Sequence, residues 1–147
     1  MKSMALGLLV GFLAAQAMAA DDTWLTDLPK AQAKAKAEKK MVLVDFTGSD
    51  WCPPCKALHK NVLSSPEFLS YAKDNLVLVE IDFPRTKPQS DALKAANKEL
   101  SKKHNIEGYP TVIVFDSNGK ELLKDVGYDG KSKGADFVTK LKNLKKA

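Results

Sequence analysis

Apolar and polar positions change period several times along the chain, and each change marks an element. "MVLVDF", Met41 to Phe46, is an unbroken apolar run rich in β-branched residues and too short for a helix. It predicts a strand buried on both faces, and "NLVLVEIDF", Asn75 to Phe83, predicts another. Between them Pro53 opens a helix running to about Val62. Ser65-Pro66-Glu67 then starts a second helix to about Lys73, with the serine as N-cap and the proline in the first turn. Ahead of the first strand, Thr23 to Lys40 is rich in alanine and lysine. It predicts an N-terminal helix over about 24–40, with Trp24 and Leu28 packing at its start.

Further on, "PRTKPQS" reads as a two-proline loop, and Asp91 to His104 has helical spacing at Leu93, Ala96 and Leu100. "PTVIVFD" and "KELLKDVG" flank the turn signal "SNG" and predict a β-hairpin. Ser132 to Lys146 gathers Phe137, Val138, Leu141 and Leu144 on one face, as a closing amphipathic helix does. The order is α-β-α-α-β-α-β-β-α, an α/β pattern. Strands alternating with helices give a parallel core, and the hairpin adds an antiparallel edge. One mixed central sheet is expected, with helices on both faces. No internal repeat or second domain is visible.

The first residues change the length that matters. Lys2, an apolar run from Met4 to about Ala15 and the small residues Ala17-Met18-Ala19 read as a signal peptide over residues 1–19, cleaved near Ala19. The expected mature domain, residues 20–147, is about 128 residues long and large enough to bury its own core. The expected location is periplasmic or secreted, with no stable membrane insertion after cleavage. The formal net charge of +5 comes from isolated lysines on helix-like segments, without arginine–aromatic interleaving. That is a solvated surface, and nucleic acid is not an expected partner.

The chain has 2 cysteines, Cys52 and Cys55 in "GSDWCPPCKALHK". A structural staple is a weak role for them, because a loop this short stabilises by about 2 kcal/mol at most. Zinc needs more ligands than two thiols with the separated His59 and His104, both read as exposed helix residues, so no metal is expected. Covalent haem attachment needs histidine where Lys56 stands. A redox pair explains most. Cys52 would lie just outside a helix N-terminus, where unpaired N–H groups and the helix dipole favour thiolate over thiol. Pro53 and Pro54 remove two of those donors and leave the N–H of Cys55. Cys55, one turn deeper, would be shielded and would attack once Cys52 is in a mixed disulfide.

At this point the chain resembles the thioredoxin superfamily, and within it the exported thioredoxin-like proteins of bacteria. "VLVDF" followed by "WCPPCK" resembles the first core strand and active-site helix. "IEGYPTVIVFDSNGKEL" resembles the proline loop and hairpin, and "VGYDG" with the closing helix resembles the C-terminal end. The resemblance implies a thioredoxin-like three-layer sandwich and a thiol–disulfide oxidoreductase. It implies Cys52 as attacking and Cys55 as resolving thiol, which together form the redox-active disulfide. It implies a cis Tyr109–Pro110 bond and a substrate-binding surface at Trp51, Tyr109 and Pro110. Without the resemblance, Tyr109-Pro110 reads as an ordinary loop before a strand, and Trp51 as packing.

Asp45 matches the family's buried acid beneath the cysteines, positioned to take the proton of Cys55. The other reading is a strand-end carboxylate bonded to loop N–H groups. The basic residue often opposite this acid falls at Leu78, and the segment Phe83 to Lys102 is longer than in minimal members. No cofactor is implied. The implied partners are protein thiols or disulfides and an unidentified electron donor or acceptor, acting on a monomer. A reductase is the favoured direction. A non-catalytic binding or chaperone-like module and a disulfide isomerase are the alternatives.

Overall fold

The computed structural model describes residues 24–146, so the export signal read over residues 1–19 lies outside them. The elements are β1 (Trp24–Leu25), α1 (Leu28–Glu38), β2 (Met41–Thr47), α2 (Pro53–Leu58), α3 (Pro66–Asn75), β3 (Leu76–Asp82), α4 (Asp91–Lys103), β4 (Thr111–Phe115), β5 (Glu121–Val126) and α5 (Gly134–Lys146). They form a five-stranded sheet in the order β1-β3-β2-β4-β5. β1 and β2 run parallel to β3, while β4 runs antiparallel to β2 and β5. A mixed sheet with an antiparallel hairpin side is what the alternating pattern implies.

β2 has β3 and β4 on its two edges and no residue open to solvent. Its alternating side chains feed two cores. Met41 and Leu43 join Leu58 of α2, Val62 just beyond it, Phe68 of α3, and Phe137 and Leu141 of α5. Val42, Val44 and Phe46 join Leu28, Ala31 and Ala35 of α1, with Leu100 of α4 packed alongside. Helices therefore cover both faces.

The predicted N-terminal helix starts later than its composition implies. Trp24 and Leu25 are an edge strand paired with Leu78 and Val79. Asp27 takes the N-cap, accepting the N–H of Lys30 at 2.9 Å, with Pro29 in the first turn. As a strand, this dipeptide sends Trp24 to one core and Leu25 to the other, which one helical face could not do.

The helix opened by Pro53 changes pitch. Residues His59–Leu63 form a π-turn, in which the N–H of Ser64 reaches the carbonyl of His59 at 2.8 Å. In α4, Ala96 is exposed and Asn97 is the buried side chain, its amide donating to the carbonyl of Asp82 at 3.0 Å. His104, read as exposed, sits partly buried against the rings of Phe46 and Phe115, at 6.2 and 5.5 Å. Burial holds its pKa below the usual imidazole value.

Ser65 caps α3 as predicted, accepting the N–H of Phe68 at 3.3 Å and donating to the carbonyl of Val62 at 2.7 Å. A β-carbon on Gly134, at the start of α5, would overlap this hydroxyl. Gly134→Ala is therefore expected to cost about 1–3 kcal/mol through the displaced cap and crowded helix contact. Urea unfolding of the two proteins measures it. An unchanged midpoint would mean that α5 shifts without disturbing α3.

Candidate functional site

Parallel pairing of β2 with β3 ends at Thr47 opposite Asp82, so both following loops leave the sheet on the same side. Sites in open α/β sheets gather beyond the carboxyl ends of such strands. The first loop turns at Gly48, whose carbonyl accepts the N–H of Trp51 at 3.2 Å and of Cys52 at 2.9 Å. A β-carbon at Gly48 would overlap the Trp51 indole, so the tight turn and the tryptophan depend on each other.

Cys52 is the N-cap of α2, extended at φ −90° and ψ 108°, with Pro53 and Pro54 opening the helix. Its Sγ accepts the N–H of Cys55 at 3.3 Å, the donor that the two prolines leave available. Cys52 and Cys55 form a disulfide with a Cα–Cα distance of 5.2 Å. The expected contrast in shielding is absent in this oxidised form, where Cys52 is 3 % and Cys55 2 % exposed. Cys52 turns its sulfur toward Cys55 and its own helix end.

Strand alternation puts Asp45 on the same face as Met41 and Leu43, beneath α2. A cavity of about 260 Å³ lies there, bordered by Asp45, Thr47, Cys55, His59, Glu80 and Lys87 among others. Asp45 is 3 % exposed, and its Oδ1 has no hydrogen-bond partner. The strand-end reading, a carboxylate satisfied by loop N–H groups, is thus not what this oxygen does. Burial first, then the carboxylates of Glu80 and Asp82, push its pKa up to about 7.

The residue opposite Asp45 on the next strand is Glu80, not Leu78. β2 and β3 pair Met41 with Leu76, which places Leu78 beside Leu43 and Glu80 beside Asp45. Burial also raises the pKa of Glu80, and the charge of Asp82 adds to this. An acid inside "LVLVEID" is the same signal that marks Asp45 in "MVLVDF", and it was available in the sequence. Asp45 has no basic counterpart on the neighbouring strand, and its raised pKa lets it both hold and release a proton near neutral pH.

Tyr109–Pro110 is a cis peptide. Thr111 pairs with Phe46, so Pro110 stands just past the end of the β2–β4 pairing, level with the cysteine loop. The Pro110 carbonyl accepts the N–H of Gly127 at 2.7 Å. Tyr109 meets Trp51 edge to face at 5.9 Å and Phe83 at 5.2 Å. The structure therefore brings Trp51 and Tyr109 together, and sets Asp45 and Cys55 on one cavity.

The second loop supplies contacts that no local signal announces. The carboxylate of Asp50 accepts the backbone N–H groups of Arg85, Thr86 and Lys87 at 3.0, 2.7 and 2.8 Å, and the Thr86 hydroxyl at 2.7 Å. The Arg85 N–H leads the bonds that hold the Asp50 pKa well below the usual carboxylate range. Trp51 Nε1 donates to the Phe83 carbonyl at 2.8 Å, and the Arg85 guanidinium lies 3.8 Å from the Trp51 ring centroid. Such a cation–π contact at an exposed position is worth about 0.5–1 kcal/mol. Ser49 donates its N–H and hydroxyl to Asp82, at 3.0 and 2.5 Å.

Residues 28–144 match the family model of the thioredoxin-like domain. The disulfide bond reductase DsbH of Chlamydia pneumoniae is 33 % identical over 117 residues, covering 80 % of this chain and 69 % of that protein. The thiol:disulfide interchange protein DsbD of Cronobacter sakazakii is 38 % identical over 96 residues, 65 % of this chain but 15 % of DsbD. The solved structure of a DsbH oxidoreductase superposes with a TM-score of 0.76 at 32 % identity, covering 84 % of this chain and 83 % of that one.

The raised pKa of Asp45 fixes a pH dependence. The folded protein holds this proton up to about pH 7, whereas the unfolded chain releases it near the ordinary value of 3.8. The folded state thus binds more protons between these values, and stability falls as pH rises through that window. Asp45→Asn is expected to lessen this decline, leaving the part due to Glu80, and at about pH 8 to make the oxidised protein more stable by up to ~4 kcal/mol. Denaturant unfolding at about pH 4 and pH 8 checks the sign, and equal losses in the two proteins would contradict it.

Proposed function

Since this chain belongs to the thioredoxin-like family and is a thiol–disulfide oxidoreductase, we propose that it works as a reductase, passing electrons from a Cys52/Cys55 dithiol to protein disulfides. The supply of hydrogen-bond donors to Cys52 Sγ carries the direction. A single helix N–H, that of Cys55, reaches this sulfur among the described residues, because Pro53 and Pro54 have none to give. Two raised-pKa carboxylates, Asp45 and Glu80, border the cavity below. A poorly stabilised thiolate makes the reduced form the higher in free energy, and the pair gives up its electrons readily. The relative DsbH, named a disulfide bond reductase, agrees with this direction.

In this reading, the Cys52 thiolate attacks one sulfur of a substrate disulfide. A mixed disulfide forms, and the first substrate thiolate leaves and takes up a proton. Asp45, ionised in part of the molecules near its pKa of about 7, then takes the proton of Cys55 across the shared cavity, and Cys55 attacks Cys52 Sγ. The second substrate thiolate departs, and the Cys52–Cys55 disulfide remains. Two electrons have passed to the substrate, and a thiol donor of unidentified nature returns them. Trp51, Tyr109 and Pro110 form the surface on which the substrate segment rests. Residues 1–19 support the expectation that this happens outside the cytoplasm. Among the described residues no helix is long and apolar enough to cross a membrane.

Insulin reduction tests the reading. Cys52→Ser is expected to lose all activity above background, whereas Cys55→Ser should accumulate mixed disulfides that gel shifts detect. Equilibration with glutathione tests the direction. A potential at or below about −230 mV is expected, and one more oxidising than about −180 mV would reverse the assignment.

A further inference from the structure

The segment after β3 is bound to the cysteine loop by unusually directed contacts. Asp50 spends its carboxylate on three consecutive backbone N–H groups and one hydroxyl of residues 85–87. Its charge is therefore committed to the backbone rather than to a side-chain cation. The effect is to fix where the Arg85 side chain starts, and its guanidinium lies over the ring of Trp51, the residue before Cys52. Arg85 is exposed, and among the described residues it makes no ion pair with a carboxylate. Lys87 beside it donates to the Ser49 hydroxyl at 2.8 Å and likewise has no carboxylate partner among them. Lys87 lies on the cavity with Glu80 and acts on the charge of that carboxylate, so Arg85 is the cation beside Trp51 without a carboxylate partner among the described residues, and a planar guanidinium is suited to one.

We propose that Arg85 is a specificity-determining residue, positioned by Asp50, that recruits protein segments carrying an acidic side chain next to the cysteine to be exchanged. The idea rests on the exchange chemistry at Cys52 proposed above. Lying over Trp51, the guanidinium is held in place and still open to an arriving carboxylate.

The test uses the Cys55→Ala protein and two cysteine peptides, identical except for glutamates or lysines beside the cysteine, each activated as its 2-pyridyl disulfide. The Cys52 thiolate attacks the peptide sulfur, the Cys52–peptide disulfide forms, and 2-thiopyridone leaves and is followed by absorbance. Each rate is divided by that of 2-mercaptoethanol with the same peptide. At low salt the acidic peptide should react about fivefold faster than the basic one, with the ratio falling toward one in about 0.5 M salt. Arg85→Gln should bring the low-salt ratio close to one and Arg85→Glu should invert it. Asp50→Asn should reduce the ratio in the parent protein but not further in the Arg85→Gln background. Because the ratio is read within each variant, a general loss of reactivity cancels. Equal rates for the two peptides, or a preference that survives Arg85→Glu, would overturn the proposal and leave the redox chemistry standing. Reaction with both peptides no faster than 2-mercaptoethanol would instead overturn the exchange chemistry itself.

Discussion

A central strand paired on both edges and covered by helices on both faces leaves the side chain of Asp45 only 3 % exposed, and much of the site follows from that burial. β2 supplies the middle of both cores and cannot tilt away to solvate one carboxylate. The acid therefore keeps its proton to an unusually high pH and lies on the same cavity as the deeper cysteine. The same strand fixes where the cysteine loop begins. In that loop Gly48 carries the turn and leaves room for Trp51, and α2 starts just after Cys52 because Pro53 and Pro54 can open a helix but not extend one backward.

What was legible in the sequence was what local chemistry decides. Ser65-Pro66 announces a capped helix, the "SNG" turn a hairpin, and "MVLVDF" a strand without a wet face, and each is present. The Cys52–Cys55 disulfide and the cis bond before Pro110 were also legible, because the spacing and order of these residues resemble a known family. Pairing defeated the local reading elsewhere. Trp24 and Leu25 carry no strand signal that two residues could show, and only the free edge of β3 makes them one. The π-turn at His59–Leu63 adds a residue to a pattern that reads as plain helix. The neighbour of Asp45 depends on the register between β2 and β3, and counting along one strand did not reveal Glu80.

The loop after β3 marks the sharpest limit. Asp50 reaches residues 35 to 37 positions away, and nothing in "GSDW" or "PRTKPQS" says that they meet. They meet because parallel strands in register release their loops side by side. An acidic side chain that would otherwise be one more surface charge becomes the anchor of a backbone segment, and a surface arginine acquires a fixed place beside the redox pair.

A five-stranded open sheet has two free edges, and among the described residues neither offers a long template. One edge is β1, of which Trp24 and Leu25 are described. The other is β5, which intersperses Glu121, Lys124 and Asp125 with its apolar residues, ties Asp125 to Lys140 of α5, and leaves Val126 63 % exposed only at its last position. Short or charged edges resist the addition of a foreign strand. For a protein whose reaction joins it covalently, if briefly, to other chains, this matters. A client held by one sulfur stays close for the lifetime of the mixed disulfide, at an effective concentration far above that in solution. Blunted edges let it leave when the bond is exchanged instead of accreting onto the sheet.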